Sequence, residues 1–379
     1  MNNKLKGLFI FMAIACIASP VFAFRKSPAF GESTLKRTQT IEGIGKFTLR
    51  KQEARDSICS ELILEKSKTL TVVVDTFNGL EPYELLKWDF DKDGLSEIIV
   101  SLKYPNSDDV TPYIYTFSEG VDKIFPTSED MDLTGCREIF ITNYGSKSAL
   151  CLKYLVSYHD YGPPQLFKLE MYVVDNGKPS LAQVGYNEGK HYNLLMNLAG
   201  EYMHNGNMAT ASELYDQAVS SSTGDISKEA FAEALFFKAE CLKFSGKYKE
   251  AMKLYEKVVL EFTDSAFTEA SQQELEFLFA NNQNKLIGQY FNVLSLILQE
   301  KETDALSLIN SLIKNNPNSK IMDRMLFTKA ELLTSFNKLD EAMTMYKTLL
   351  AKYSDSPLIE KVNELLEDLE ARPEETDGL

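Results

Sequence analysis

The chain has 379 residues, with 40 Lys+Arg against 55 Asp+Glu, a formal charge of −15, and 44% hydrophobic and 11% aromatic residues. That is enough chain for two domains with cores of their own, and enough apolar content for a folded rather than a disordered protein. The acidity opposes binding to nucleic-acid phosphates and suits cations or basic partners.

Lys4 and Lys6 precede an apolar run, Gly7–Ala18 (GLFIFMAIACIA), which Ser19-Pro20 breaks and Val21-Phe22-Ala23 follows with residues a signal peptidase reads. Residues 1–23 are therefore expected to be a signal peptide, and the chain an exported one, of the periplasm or surface of a bacterium. Its removal takes the formal charge from −15 to −17. A rival reading makes Ala13-Ile14-Ala15-Cys16 a lipoprotein box with a lipid anchor on Cys16. The run is too short to span a bilayer, and no later segment approaches the roughly 20 apolar residues a transmembrane helix needs. Residues 24–40 show no period and are read as a loose arm. Beyond Cys16 stand Cys59, Cys136, Cys151 and Cys241, too few and too scattered for a disulfide framework and without a CxxC pair. Cys136 and Cys151 flank an expected hairpin and either pair or remain buried thiols.

From residue 41 to 187, runs rich in β-branched and aromatic residues alternate with Gly, Pro, Asn and Asp. Leu70–Phe77, Glu97–Tyr104, Pro112–Phe117, Glu138–Tyr144 and Leu166–Val174 read as antiparallel strands. One stretch stands out. Asp89–Val100 reads DFDKDGLSEIIV, and Asp130–Ile141, DMDLTGCREIFI, repeats it 41 residues later with matching Asp, Asp, Gly, Glu and Ile. Carboxylates at alternate loop positions can turn toward one centre, with Gly94 permitting the bend. A hard cation would then take Asp89, Asp91, Asp93, the Leu95 carbonyl and Glu97. The alternative is a set of Asx turns in which the same acids accept backbone amides. In the second loop Asp130, Asp132 and Glu138 keep their places, but Thr134 replaces the third aspartate. Val100 stands where an EF-hand needs its bidentate glutamate, so this is not that motif.

The DxDxDGxxE loop followed by an apolar strand resembles the calcium loops of FG-GAP/VCBS-type β repeats. The resemblance covers about residues 82–145 and implies structural Ca2+ at Asp89, Asp91, Asp93, Leu95 and Glu97. A seven-bladed propeller of such repeats does not fit into roughly 150 residues, so a β-sandwich or an open antiparallel sheet is expected.

After residue 188 the apolar spacing becomes helical. Leu235–Ser265 and Leu326–Ser356 share LF, KAE, Leu, Lys, EAM, Tyr and DS in one register, 91 residues apart; Leu195–Val219 is a third copy and Val293–Pro317 a weaker fourth. Ala199, Ala239, Ala330 and Val293 fall where paired helices touch, with Ala211, Ala251, Ala305 and Ala342 opposite. Tyr202, Tyr215, Tyr255 and Tyr346 fill the gaps, and Gly206 and Gly246 mark the turns where the other copies have Glu300 and Asn337. These copies resemble the tetratricopeptide repeat (TPR), a helix–turn–helix of about 34 residues. The resemblance covers about 190–357, with Pro357–Ala371 as a capping helix. The chain is thus read as two domains, an N-terminal all-β domain (41–187) and a C-terminal all-α TPR solenoid (188–371), with an acidic tail at 372–379. Repeat endings such as EFTDSAF and KYSDSPL resemble those of bacterial envelope TPR proteins, including outer-membrane assembly lipoproteins.

Stacked repeats leave their first helices lining a groove. The register puts Asn193, Met196, Met203 and His204, then Glu233, Phe236, Glu240, Lys243 and Phe244, then Arg324, Phe327 and Glu331 on that face. Such residues would bind a peptide or helix, or else pack against the intervening segment Phe267–Phe279 or the β domain. No P-loop, GxSxG, HExxH or GxGxxG occurs, and histidines number three, of which His159, in the turn-like YHDYG, reads as a loop feature. The expected function is a non-enzymatic adaptor gripping a protein partner in the cell envelope. A carbohydrate- or surface-binding protein acting through the β domain is the alternative. A hydrolase has only the acidic loops in its favour.

Overall fold

The computed structural model describes residues 37–371, apart from 55–56, 118–119, 129–130, 146, 161, 176, 188, 221–225 and 282. The expected signal peptide with Cys16, residues 24–36 of the arm, the tail 372–379 and Asp130 lie outside the described residues. The chain divides into two units, described separately below. A β unit runs to Ser157 and resumes over Pro164–Gly189; a helical unit takes Tyr158–Pro163 together with everything from Lys190.

The β unit is three four-stranded antiparallel meanders, each in sequence order. The first holds β1 (Thr38–Ile41), β2 (Gly45–Ala54), β3 (Ser57–Ser67) and β4 (Leu70–Asn78). The second holds β5 (Glu81–Trp88), β6 (Glu97–Lys103), β7 (Val110–Thr116) and β8 (Asp122–Phe125). The third holds β9 (Cys136–Tyr144), β10 (Lys147–Val156), β11 (Leu166–Asp175) and β12 (Lys178–Tyr186). The all-β antiparallel reading holds, as three four-stranded sheets packed face to face. The middle sheet packs on both faces. Ile98, Val100 and Leu102 pack with Phe47, Leu49, Leu62 and Leu64 of the first sheet. Ile99 and Ile114 pack with Leu150, Leu152 and Tyr172 of the third. Burial on both faces is why Ile98, Ile99 and Val100 are apolar without alternation, which an outer strand does not need. The arm also ends earlier than expected. Thr38–Ile41 pairs with β2, Ile41 is buried, and the Gln39 amide donates to the Leu85 carbonyl at 2.8 Å.

Cys136 and Cys151 do not pair. Cys136 stands opposite Tyr154 and Cys151 opposite Phe140. The two thiols also join cores on opposite faces of the third sheet. All four described cysteines are free, and burial pushes the Cys136 and Cys151 thiols up to about 12.

The helical unit is a succession of hairpins in sequence: α1 (Tyr192–His204) with α2 (Met208–Ser220), α3 (Lys228–Phe244) with α4 (Tyr248–Glu261), α6 (Leu286–Ile297) with α7 (Glu302–Asn315), and α8 (Met322–Ser335) with α9 (Leu339–Lys352). An extra α5 (Thr268–Asn281) is inserted before the third pair, and α10 (Ile359–Glu370) ends the series. The small positions Ala199, Ala239, Ala330, Val293, Ala211, Ala251, Ala305 and Ala342 are all wholly buried, as are Tyr215 and Tyr255. Each hairpin turn needs one residue with left-handed backbone. Gly206 (φ 68°) and Gly246 (φ 75°) supply it without strain, whereas the same place falls to Asn337 (φ 57°) and Glu300 (φ 43°) in the other pairs. A side chain at such a φ costs about 1–2 kcal/mol, less the backbone entropy that glycine loses. Glu300→Gly is therefore expected to stabilise the helical unit by about 0.5–1 kcal/mol, read as a higher urea midpoint with an unchanged slope; an unchanged midpoint contradicts it.

Candidate functional site

The acidic loop joins β5 to β6. Oxygens of Asp89, Asp91 and Asp93 gather within 4.8 Å of one another, the only such group among the described residues. Backbone amides hold part of that charge. Gly94 donates to Asp89 Oδ2 at 3.1 Å, Leu95 to Asp93 Oδ1 at 2.7 Å and Asp93 to Asp91 Oδ1 at 3.4 Å. Gly94 makes this turn with φ 93°. The other oxygen of Asp89, Oδ1, is buried and has no hydrogen-bond partner. Glu97, expected as a fourth carboxylate, stands apart from the group. It is 3% exposed, and its Oε2 accepts the Phe90 amide at 3.1 Å. Burial, with the charges of Asp91 and Asp93 nearby, pushes its carboxyl up to about 7. Leu95 turns its side chain to solvent. The second loop is built differently because it leads into β9, an edge strand, whereas Glu97 opens the inner strand β6. There Asp132 accepts the Thr134 amide at 2.8 Å, and Glu138 is drawn to Lys153 at 2.8 Å.

Also in the β unit, a cavity of about 350 Å³ lies beside β4, lined by Val72, Val73, Asp75, Tyr115 and Lys123. The Tyr115 hydroxyl donates to Asp75 Oδ2 at 2.5 Å.

In the helical unit, five of the twelve residues placed on a partner-binding face, Asn193, Met196, Met203, Lys243 and Phe327, are buried, and the other seven are half-buried. Met196 is 0%, Met203 1%, Lys243 3% and Phe327 8% exposed. Phe236 packs its ring against Phe237, Tyr255 and Phe267. The inserted α5 covers part of that face, through Lys243 and Arg324, while Met196 and Met203 are buried against Ala230, Ala234 and Phe237 of α3. Lys243 Nζ meets Glu240 Oε1 at 2.7 Å and Glu274 Oε2, on α5, at 2.8 Å; Arg324 meets Glu274 Oε1 at 3.5 Å. The Arg324 guanidinium lies 4.0 Å from the centre of the Phe277 ring. Burial and the Glu274 charge keep the Glu240 carboxyl above its ordinary range, while Lys243 and Arg324 together outweigh the same burial at Glu274 and hold it below. Glu240 also accepts the Tyr255 hydroxyl, and Glu331 the Tyr346 hydroxyl. The large apolar side chains that reach solvent among the described helical residues are Leu260, Phe279 and Phe336.

The residues Tyr158 and His159 sit on α1. Asn197 Oδ1 accepts the Tyr158 and His159 amides at 2.7 and 2.9 Å, and Asn197 Nδ2 donates to the His159 carbonyl at 2.9 Å. Asn193 Nδ2 donates to the Gly162 carbonyl. The imidazole lies between Glu233 Oε1 (2.9 Å from Nδ1) and the Tyr215 hydroxyl (3.1 Å from Nε2).

Residues 232–260, within α3 and α4, match the tetratricopeptide repeat. The helical unit therefore carries a TPR. Solved structures with similar stretches include the Rap conjugation gene regulator of plasmid pLS20 in complex with the Phr* peptide (11% identity, 47% of each chain, TM-score 0.23). A thermophilic TPR protein of Thermus thermophilus (15%, 47% of this chain and 98% of that one, 0.21) is another. A third is a Podosopora anserina kinesin light chain structure with nearly identical TPR-like repeats (18%, 49% and 96%, 0.21). The chain spans about half the length of the first of these, 47%. All three scores lie below the level at which a shared whole-chain arrangement follows. No curated protein matches the chain.

The TPR register explains what sequence reasoning missed. Glu240 of the second repeat corresponds to Glu331 in the fourth and to Gly200 in the first, as Tyr255 corresponds to Tyr346 and Tyr215. The first repeat alone has the tyrosine without its carboxylate, and that difference was legible. What fills the gap comes from YHDYG, about 40 residues upstream, and no local pattern announces it.

Proposed function

We propose that the chain is an exported, non-enzymatic scaffold that binds a protein partner through its helical array, with a β unit steadied by calcium. The TPR match at residues 232–260 carries the scaffold reading, because such arrays bury their helix pairs against one another and present extended surfaces to other proteins. Proteins of this repeat family are typically scaffolds without catalysis. Export rests on the leader-like residues 1–23, and among the described residues no helix is long and apolar enough to cross a membrane. With Lys243 and Arg324 of the predicted face engaged by Glu274 of α5, the surface side of the array becomes the contact. Crosslinking and pull-down of the mature chain from its own envelope should recover a protein partner. Phe279→Asp, at a position 76% exposed, should reduce that recovery several-fold with unchanged helicity. Equal recovery from both chains rejects this surface. The cavity beside β4 keeps ligand binding by the β unit as the second reading, and retention of envelope glycan lost in Tyr115→Phe would favour it.

Calcium fits the loop on one observation: three carboxylates converge, and the buried Asp89 Oδ1 has no donor to satisfy it. Oxygen-only ligation suits a hard cation. Asp89, Asp91 and Asp93 would hold the ion, and it would neutralise a turn pinned to the buried strand β6. At 100 times Kd a bound ion stabilises by about 2.7 kcal/mol. Chelation should lower the melting temperature of the β unit by several degrees and leave the helical unit unchanged. Asp91→Asn should remove most of that difference and Asp132→Asn little of it. An unchanged β-unit transition in excess chelator, with no calcium copurifying, leaves only Asx turns.

A further inference from the structure

The first TPR differs from the second and fourth by one substitution with structural consequences. In those repeats a second-helix tyrosine donates its hydroxyl to a first-helix glutamate, Tyr255 to Glu240 and Tyr346 to Glu331. In the first repeat the glutamate's place is Gly200. The space it leaves is taken by Tyr158: a Cβ at Gly200 would lie 2.8 Å from both Cβ and Cγ of Tyr158. The hydroxyl left over, on wholly buried Tyr215, meets His159 Nε2 at 3.1 Å instead. The other face of the same imidazole is held by Glu233 of α3 at 2.9 Å, and the ring packs edge-on against Phe237, 5.2 Å between centroids.

The main chain is read as well as the side chains. Asn193 and Asn197, each 2% exposed, are one turn apart on α1. Asn197 grips the peptide unit of residues 158–159 from both sides, accepting two amides and donating to one carbonyl. Asn193 takes the Gly162 carbonyl. The Tyr158 hydroxyl donates to Glu201 Oε2 at 3.0 Å. Backbone bonds by side-chain amides, an aromatic seat over a glycine and a polar slot for a second ring are the parts of a peptide-recognition site. Residues that were only the hairpin connection β10–β11 in sequence thus group with the helices.

We propose that Tyr158 and His159, with the Gly162 carbonyl, form an intramolecular ligand occupying a peptide-binding groove of the first two repeats, and that this groove accepts an extended segment presenting an aromatic residue followed by histidine. The resident segment excludes outside peptides of the same kind until it is released. The inference rests on the helical array being a protein-binding one, but not on export or calcium, and a partner captured elsewhere on the array would leave it untouched.

The test uses the full chain and a labelled peptide of residues 155–164, LVSYHDYGPP. Tyr158→Ala with His159→Ala vacates both ring seats and weakens the resident segment's hold while keeping Asn193, Asn197, Gly200, Tyr215 and Glu233. Fluorescence anisotropy should show the peptide binding this double variant at least tenfold more tightly than the wild type. Adding Asn197→Ala should remove the gain. Equal affinity for wild type and double variant, including no binding to either, overturns the proposal. Should the double variant lose its helicity, Gly200→Ala supplies the decision, since its methyl enters the Tyr158 seat while favouring the helix. Protease cleavage within residues 158–163 should then quicken at least tenfold relative to wild type at unchanged helicity. Unchanged cleavage overturns the proposal.

Discussion

Lys243→Met is expected to destabilise the helical unit by about 3–5 kcal/mol, the cost of leaving buried charge without its partner. Against a domain total of roughly 5–15 kcal/mol, that change alone brings the array near its unfolding threshold. Lys243 is 3% exposed and bridges Glu240 on its own helix to Glu274 on α5. Glu274 retains Arg324 in the variant, whereas Glu240 keeps only the Tyr255 hydroxyl. Its carboxyl, already raised by burial and by Glu274, rises further. A carboxylate whose folded pKa is raised binds more protons folded than unfolded, so the variant should lose stability as the pH rises from about 5 to 8, more steeply than the wild type. Lys243→Met with Glu240→Gln should recover part of the loss and flatten the slope, since no charge then lacks its partner on α3. Urea unfolding followed by far-UV circular dichroism measures all three chains. A loss below about 1 kcal/mol, the range of exposed pairs, would show that water reaches this network.

The same residues show where sequence reasoning stops. The register of the repeats was legible because it rests on local chemistry: alanines where helices touch, tyrosines in the gaps, and turn positions that take left-handed backbone. Those constraints act within one hairpin. What lies over a helix face is decided by distant chain. Met196, Met203, Phe236, Lys243 and Phe327 occupy the predicted face, yet α5 and the repeats' own packing cover it, and apolar residues among charges read alike in a groove and in an interface between helices. His159 looked like a loop feature for the same reason, since its partners Asn197, Tyr215 and Glu233 lie on three different helices. In the β unit the strands that announced themselves were the apolar ones. Thr38–Ile41 was passed over because TQTI is short and polar, and its pairing is set by β2 rather than by its own composition. The acidic repeat identified both loops but not their strand positions, and that difference buries Glu97 while Glu138 finds Lys153.

Glu97 makes the charge of the first loop measurable. In excess chelator, the β unit is expected to become less stable as the pH rises, the reverse of ordinary acid denaturation. The carboxyl titrates near 4.5 when exposed and is pushed up to about 7 in the folded unit, first by burial and then by Asp91 and Asp93. Between those values the folded unit holds a proton that the unfolded chain has released. The associated stability is fully present below the lower value and is lost as the pH passes through about 7. The span corresponds to about 3 kcal/mol on the scale of 1.36 kcal/mol per pKa unit. Glu97→Gln keeps an acceptor for the Phe90 amide and carries no charge, so in chelator it should match the wild type near pH 5 and exceed it near pH 8 by about that amount. Calcium changes the balance. A cation held by Asp89, Asp91 and Asp93 offsets the two aspartate charges that raise Glu97, so the proton leaves at lower pH and the decline in stability on raising the pH shrinks. Binding between about pH 5 and 7 then releases a proton, and calcium affinity falls as the solution is acidified. Denaturant titrations at pH 5, 6, 7 and 8, about one unit apart across the titration, with calcium and with chelator, give both slopes. Parallel slopes with and without calcium would place no ion beside Glu97, and identical slopes in chelator for wild type and Glu97→Gln would mean the buried carboxylate is ionised in the folded unit over this range.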